Sequence, residues 1–303
     1  MPATHHDTHR RIAAETLDTI EKGFYVVDDV RHDLSPRIEL SKQQTLYYPP
    51  DSQLSNWLTE SSPSTPEPHP PTEISILEIS TLEGARHLSS INSANNSSPN
   101  KISILNFASA KNPGGGFISG AQAQEESIAR SSTLYPTLMT STAQNFYKLH
   151  KRDPKGGYYS HAMIYSPHVV IFRDDNGGWT VPLEVDVLTS PAVNAGLVRL
   201  TFRGIVGGES EEGRIEKAMR ERMARILFLF QNQGTKNIVL GSFGTGVFRN
   251  DVGTVARIWA DLLGVKEARF KDTFERVVFA ILGKKTFEEF KDAFEERVKG
   301  GVD

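Results

Sequence analysis

Two adjacent carboxylates follow a run of three glycines in the middle of the chain. The glycines, residues 114–116, come soon after an apolar segment at 102–107, and Glu125 and Glu126 come shortly after them. Successive glycines adopt backbone angles closed to other residues and can turn several N–H groups toward one anion, such as a pyrophosphate. In a helix the two carboxylates would lie roughly 100° apart, so that one holds a ligand while the other transfers a proton.

A structural interpretation fits the same residues. A strand, a glycine turn and an acidic helix start are typical of an ordinary βα unit, because acidic side chains favour helix N-termini. The residues alone therefore leave a catalytic site and a simple turn both open.

A second strand-to-glycine segment strengthens the ligand-binding interpretation. The apolar residues 237–240 run into a glycine-containing stretch at 241–251, followed by a helical pattern. A dinucleotide fingerprint is disfavoured because Arg249 stands where the third glycine belongs, and no P-loop motif occurs. Two glycine loops at strand ends suit a ligand whose central pyrophosphate is held between them.

Composition excludes several classes of function. The 303 residues contain no cysteine, which rules out disulfides, a thiol nucleophile and thiolate metal sites. The net charge of −3 argues against a general electrostatic attraction for DNA, and we expect no direct DNA binding. No HExxH motif occurs, and His5, His6 and His9 sit at a terminus that is expected to be frayed, so no metal and no cofactor is expected. Without a secretory signal or transmembrane run, a cytoplasmic or nuclear protein is predicted.

The elements that must position these residues alternate between strands and helices. Strands are predicted at 74–79, 102–107, 168–172, 185–188, 237–240 and 274–282, and helices at 8–22, after Glu126, at 215–230 and after Val255. Ser80 with Glu83 predicts a capping box for a helix through Leu88, and Thr286 with Glu289 predicts another for a terminal helix to about Val298. The arginines of helix 215–230 are predicted to be solvated, and residues 25–56 to be irregular. The fold class is α/β, a mixed sheet between helices with its ligand at the carboxyl ends of the strands.

A family resemblance rests on several of these segments. The run 112–116 (NPGGG), its spacing to 124–126 (QEE) and the following 127–135 (SIARSSTLY) resemble the signature of microbial-type poly(ADP-ribose) glycohydrolases. Further similar segments reach from residue 10 to residue 282. The resemblance implies a macrodomain-like three-layer α/β/α fold with a central mixed sheet. It also implies one domain over 1–303, with an N-terminal extension of about 1–72 packed on it and surface insertions at 61–72 and 89–100.

The resemblance also implies the roles of individual residues. Glu126 would be the general acid and base, for which a raised pKa would suit. Glu125 would hold the distal ribose with help from Gln124, and Asn112 would contact a ribose. The expected substrate contacts in the two loops are Gly114, Gly115, Gly116, Gly244, Thr245, Gly246, Val247 and Phe248. Phe248 would lie against ribose or adenine, although it is also typical of a core residue beside a turn, and Thr245 stands where the family more often carries cysteine.

The implied activity is cleavage of the ribose–ribose O-glycosidic bond of poly(ADP-ribose), with ADP-ribose as product. The expected partners are poly(ADP-ribose) and ADP-ribosylated proteins, with no membrane, and the chain is expected to be monomeric. Two alternatives remain open: a mono-ADP-ribosyl hydrolase and an ADP-ribose-binding module without chemistry. A role in the DNA damage response is implied only by the family.

Overall fold

The computed structural model describes residues 5–60, 70–94, 101–152, 156–201 and 210–300. The strands are β1 (Phe24–Val27), β2 (Val30–Asp33), β3 (Leu46–Tyr48), β4 (Glu73–Leu77), β5 (Ile102–Phe107), β6 (Met163–Arg173), β7 (Trp179–Ser190), β8 (Asn237–Leu240) and β9 (Arg276–Ala280). The helices are α1 (His5–Lys22), α2 (Ser35–Gln44), α3 (Thr81–Ala94), α4 (Gln124–Ser131), α5 (Leu134–Leu138), α6 (Ser141–Lys151), α7 (Ala195–Thr201), α8 (Glu211–Asn232), α9 (Val252–Leu263) and α10 (Lys284–Gly300). None of these described helices is long and apolar enough to cross a membrane.

The central sheet has the strand order β3-β6-β7-β5-β8-β9-β4. Strands β7, β5, β8, β9 and β4 are parallel to one another, β6 is antiparallel to β7, and β3 is antiparallel to β6. The mixed sheet predicted from the sequence is therefore confirmed. Because the parallel strands share a direction, the loops that follow β5, β7 and β8 all leave the same edge of the sheet.

Apolar cores cover both faces of this sheet, which explains why its inner strands are almost continuously apolar. Ile102 and Ile104 of β5 pack on the side of α3, α4, α5 and α6, whereas Leu105 packs on the side of α8, α9 and α10. Successive side chains of a strand point to opposite faces, so one short strand contributes to both cores. The predicted three-layer α/β/α arrangement is confirmed.

The N-terminal segment contains more regular structure than the sequence predicted. Residues 25–56 include the β1–β2 hairpin, helix α2 and strand β3, and β3 pairs with β6 at the edge of the central sheet. The prediction of an irregular segment was wrong because strands of three or four residues carry too little periodicity to be recognised. Within the expected surface insertion 61–72, residues 61–69 lie outside the described residues, and Thr72 donates a 2.6 Å hydrogen bond to the Phe274 carbonyl.

The capping box of α3 is confirmed, but the helix is longer than predicted. The Ser80 N–H donates to Glu83 at 2.8 Å and the Glu83 N–H donates to Ser80 Oγ at 3.0 Å. Residues 89–94, which belong to the expected surface insertion 89–100, continue α3 to Ala94. Ser90 and Ser93 donate to carbonyl oxygens of their own helix and so satisfy their hydroxyl groups there. Residues 95–100 lie outside the described residues.

Two further helix predictions need correction. Helix α10 begins at Lys284, after Gly283 with a φ of 92°, so Thr286 lies inside the helix and caps nothing. On α8, Arg222 and Arg225 are buried rather than solvated. Arg222 donates to the carbonyls of Pro191 and Tyr158, each at 2.9 Å. A buried guanidinium is stable when carbonyls replace its water, a compensation that the sequence pattern does not reveal.

Candidate active site

Both glycine loops predicted from the sequence meet at the carboxyl edge of the sheet. Strand β5 pairs with β8, so residues 108–123 and 241–251 leave the sheet side by side. The rings of Phe107 and Phe243, one at the end of β5 and one in the loop after β8, lie 5.6 Å apart. Sequence spacing alone did not show that β5 and β8 are neighbours.

The first loop is shaped to receive two carboxylates. Gly114 and Gly115 have φ angles of 69° and 59°, in the left-handed region that favours glycine. A Cβ atom on Gly115 would lie 2.2 Å from Glu126 Oε1 and 3.1 Å from Glu125 Oε2. Gly115 is therefore required both for its backbone angle and for the space that the carboxylates occupy.

Glu125 and Glu126 lie in the first turn of α4 and have different surroundings. Glu125 is 2% exposed and accepts hydrogen bonds from the Ser109 N–H at 2.6 Å and from Asn106 Nδ2 at 3.4 Å. Glu126 is 9% exposed and accepts from the Gly116 N–H at 2.9 Å. Both carboxylates face the glycine loop, and Glu126 is the less deeply buried of the two.

The raised pKa belongs to Glu125. Burial raises the pKa of Glu125 to about 8, the Ser109 N–H opposes this shift, and the negative charge of Glu126 adds to it. Glu125 lies deeper than Glu126 and loses more hydration, which is the physical cause of this shift. Near neutral pH the carboxyl pair therefore retains one proton, on the more deeply buried Glu125.

This pKa predicts how stability depends on pH. The ordinary pKa of the Glu125 carboxyl is 4.5, so between 4.5 and about 8 the folded protein binds more protons than the unfolded chain. The contribution of Glu125 to stability is therefore greatest below this range and falls as the pH rises through it. Relative to a Glu125→Gln variant, the free energy of unfolding of the ligand-free protein should fall by about 1 to 3 kcal/mol between pH 5 and pH 7. Urea denaturation of both proteins at several pH values measures this difference, and parallel curves would show that Glu125 is ionised throughout.

The Gln124 side chain forms its hydrogen bonds with other protein groups rather than facing the cleft. Its Oε1 accepts from the Phe107 N–H at 2.8 Å, and its Nε2 donates to the Leu105 carbonyl at 2.6 Å and to Thr81 Oγ1 at 3.1 Å. Gln124 thus ties the start of α4 to the end of β5. Asn112 is exposed at the mouth of the loop, and its carbonyl accepts from the Gly115 N–H at 2.9 Å.

The second loop offers backbone donors instead of carboxylates. Gly244 has a φ of 75°, and a Cβ atom there would lie 2.3 Å from Ala192 Cβ. Asn250 Nδ2 donates to the carbonyls of Gly244 at 2.9 Å and of Val193 at 2.7 Å. The Thr245 hydroxyl donates to the Ser242 carbonyl. The backbone N–H groups of the next three residues, 246–248, donate to no residue of the described ranges. Three successive N–H groups without partners are typical of an anion-binding loop.

Phe248 and Val247 form the outer part of this loop. Val247 is 80% exposed, whereas Phe248 is half-buried and its ring lies 5.9 Å from that of Tyr159. Tyr159 has a φ of 53°, and its carbonyl accepts from Arg222 of α8 at 3.4 Å. Sequence reasoning did not single out Tyr159, although two aromatic residues after a glycine pair were an available signal.

Helix α1 supports the first loop from outside the sheet. A Cβ atom on Gly120, whose φ is 88°, would lie 2.5 Å from the His6 carbonyl oxygen. Thr16 Oγ1 donates to the Arg130 carbonyl at 2.6 Å, and Arg130 in turn donates to the Ala121 carbonyl at 2.6 Å. Arg130 is buried one turn after Glu126 on α4; burial lowers the pKa of Arg130, and the negative charge of Glu126 opposes this shift. Asn106, Ser109, Arg130 and Asn250 are site residues to which the sequence analysis assigned no role.

The arrangement combines a carboxyl pair with an anion-binding loop. In the part of the chain that the structure describes, no group of three or more His, Cys, Asp or Glu side chains could hold a metal ion. The retained proton of the pair can be donated to a leaving group, and a phosphate can bind beside it on the second loop.

A family model and several solved structures are similar to this chain. Residues 13–174 match the model described as microbial-type PARG, catalytic domain, where PARG denotes poly(ADP-ribose) glycohydrolase. No curated protein sequence is similar enough to this chain to count as a match.

The solved structures cover almost the whole chain. The poly(ADP-ribose) glycohydrolase of Thermomonospora curvata is 36% identical over 96% of this chain and 99% of its own, with a TM-score of 0.82. The same enzyme bound to the inhibitor ADP-HPD is 35% identical over 96% and 99%, with a TM-score of 0.80. The poly(ADP-ribose) glycohydrolase of Deinococcus radiodurans in complex with ADP-ribose is 31% identical over 88% and 98%, with a TM-score of 0.69.

Proposed function

Because the chain belongs to the microbial-type poly(ADP-ribose) glycohydrolases, a macrodomain-like family, we propose that its glycoside hydrolysis is carried out by Glu126 on a substrate held between the two glycine loops. The resemblance noted in the sequence is confirmed. The protein is a glycoside hydrolase that binds ADP-ribose and cleaves poly(ADP-ribose). The observation that carries the assignment of residues is the convergence of Glu125 and Glu126 on Gly115.

The pyrophosphate of the reacting unit lies on the second loop. The N–H groups of 246–248 are available to its oxygens, whereas those of Gly115 and Gly116 already donate to Asn112 and Glu126. Apart from its two chain neighbours, no atom of the described residues lies within 4 Å of the position of a Cβ atom on Gly246, so a ligand can approach its backbone. The glycines of the first loop therefore act mainly by leaving room for the carboxylates, and Phe248 offers a ring for the adenosine part.

The chemistry requires proton transfer at the glycosidic oxygen. Glu126 donates its proton to the leaving ribose oxygen as the bond from that oxygen to the anomeric carbon breaks. An oxocarbenium-like centre develops, a water oxygen bonds to the anomeric carbon, and Glu126 takes back a proton from that water. Glu126 fits this role because it is less buried than Glu125. The Glu125 carboxylate accepts hydrogen bonds from the Ser109 N–H and from Asn106 Nδ2. Glu125 holds the distal ribose and keeps a proton within the pair.

This pair departs from the usual glycosidase arrangement. Retaining and inverting enzymes place their two carboxyls on opposite sides of the scissile bond. Here the two side chains are neighbours on one helix turn, so water must be positioned by another group. The substrate's own phosphate, bound on the second loop, is suitably charged for that role.

The two alternatives, an ADP-ribose-binding module and a mono-ADP-ribosyl hydrolase, place fewer requirements on the residues of the site. A binding module needs the anion loop but no buried proton-bearing carboxyl, and a mono-ADP-ribosyl hydrolase needs the same cleft with a more open distal end.

The experiment is to incubate the protein with defined poly(ADP-ribose) and with a mono-ADP-ribosylated protein, and to measure released ADP-ribose. We expect release from the polymer. Release only from the mono-modified protein, or from neither, would overturn this function.

The natural partners are part of the proposal. ADP-ribosylated proteins carry the polymer, and the net charge of −3 offers no general attraction for DNA. We propose a monomer that acts in the cytoplasm or nucleus.

Replacing Phe248 by alanine should weaken ADP-ribose binding by about tenfold, because the loss of an aromatic contact with a base or ribose is worth about 1 to 3 kcal/mol. Calorimetric titration measures the affinity, and the rise in melting temperature with ADP-ribose should shrink in parallel. Phe287→Ala is a matched control, since Phe287 is also half-buried but lies on α10, outside both loops. Equal affinities of the two variants would remove Phe248 from the site.

A further inference from the structure

A second cavity lies on the flank of α8, outside the two glycine loops. It has a volume of about 490 Å³, within the range of small-molecule sites. Its walls include Trp57, His161, Arg214, Lys217, Glu221 and Arg225, and we call it the α8 pocket. None of these residues belongs to the candidate active site.

Cations dominate the wall of the α8 pocket, and only some are neutralised. Arg225 pairs with Glu221 at 2.7 Å, and Arg220, which also lines the pocket, pairs with Asp261 at 2.5 Å. The side chains of Arg214 and Lys217 have no ion-pair or hydrogen-bond partner in the described ranges, and the Nε atom of Arg214 is buried there without an acceptor. An anionic ligand in the pocket could form charge-assisted hydrogen bonds with these partnerless cationic side chains.

The wall also contains an aromatic side chain that is held in place, Trp57. Trp57 is 8% exposed, stacks on Phe270 with ring centroids 6.2 Å apart, and donates through Nε1 to Glu221 Oε2 at 2.9 Å. The same carboxylate thus fixes both Trp57 and Arg225. A fixed aromatic wall beside unpaired cations matches a ligand that carries both phosphate and a flat base.

The α8 pocket and the candidate active site share a short chain segment. Tyr159 contacts Phe248 of the anion-binding loop, and His161, two residues further, lines the α8 pocket. Arg222 of α8 holds the carbonyls of Tyr158 and Tyr159. Residues 158–161 therefore have the second glycine loop on one side and the α8 pocket on the other.

We propose that the α8 pocket is a second subsite for the polymer, which binds the pyrophosphate and base of an ADP-ribose unit other than the one being cleaved. This inference rests on the proposed function, because only a polymer presents another pyrophosphate-linked unit while one unit occupies the cleft. Occupation of both sites by one chain raises the effective concentration of substrate at the carboxylates. Long chains should therefore bind better than short ones.

The test is the double variant Arg214→Gln with Lys217→Gln. Its KM for long poly(ADP-ribose) should rise by roughly five- to tenfold at low salt, since two phosphate contacts are lost, and the difference should shrink at high salt. Its kcat on short chains of a few units and its affinity for free ADP-ribose should match wild type. The matched control is Lys284→Gln with Lys285→Gln, which removes the same charge from exposed positions on α10.

The outcomes separate this inference from the proposed function. If the wild type hydrolyses the polymer and both double variants have the same KM for long chains, the α8 pocket is not a polymer subsite. An equal rise for short and long chains would place these cations at the cleaved unit and also overturn the inference. If only the binding of single-stranded DNA falls, the pocket is a nucleic-acid site. A wild type without hydrolysis refutes the proposed function itself.

Discussion

Replacing Glu126 by glutamine is expected to lower the rate of poly(ADP-ribose) hydrolysis by about 10² to 10⁴, the usual contribution of a general acid and base. The amide has nearly the same shape and its oxygen can still accept the Gly116 N–H, so the loop should stay in place. It can neither donate the required proton nor activate water. Affinity for ADP-ribose should therefore remain within a few fold of wild type, as measured by calorimetric titration beside single-turnover kinetics.

Glu125→Gln is the control that separates proton transfer from positioning. This variant should also lose activity, because the distal ribose is misplaced and the pair no longer retains a proton. Its residual rate should nevertheless be the higher of the two. A Glu126→Gln protein with near wild-type turnover would falsify the assignment and leave residues 124–126 as a helix start.

Replacing Gly115 by valine is expected to abolish hydrolysis and to weaken ADP-ribose binding by more than about 100-fold. The new Cβ would occupy the position 2.2 Å from Glu126 Oε1, and a β-branched residue is strained at a φ of 59°. The carboxylate must move, and the Gly116 N–H loses its acceptor. Turnover and calorimetric affinity measure the effect, and a wild-type circular dichroism spectrum confirms that the variant is folded.

A glycine outside the site serves as the control for backbone strain alone. Gly234 has a φ of 67°, and among the residues that the structure describes only its chain neighbours can lie within 4 Å of the position of a Cβ atom there. Gly234→Val should therefore lower the melting temperature by a similar strain but leave turnover and affinity unchanged. If both variants keep wild-type affinity while folded, the loop 114–116 is not part of the binding site.

Local elements of the fold could be read from the sequence. The capping box of Ser80 and Glu83, the buried strand 102–107 and the first turn that contains Glu125 and Glu126 each depend on neighbours within a few residues. Short strands such as Leu46–Tyr48 could not be recognised, because their place is decided by pairing with β6, which is far away in the chain. The extension of helix α3 past Leu88 could not be recognised either, because polar residues continue it by donating hydrogen bonds to carbonyl oxygens of the same helix.

The sequence by itself determined the family, the α/β class and the residue types available for chemistry. Periodicity and local spacing carry that information within each segment. Only the tertiary structure decided that the loops after β5 and β8 are adjacent, that Gln124 is bound to β5, and that burial places the raised pKa on Glu125. A pKa depends on hydration and on charges brought together by distant segments, so its location emerges only when the sheet and its helices are assembled.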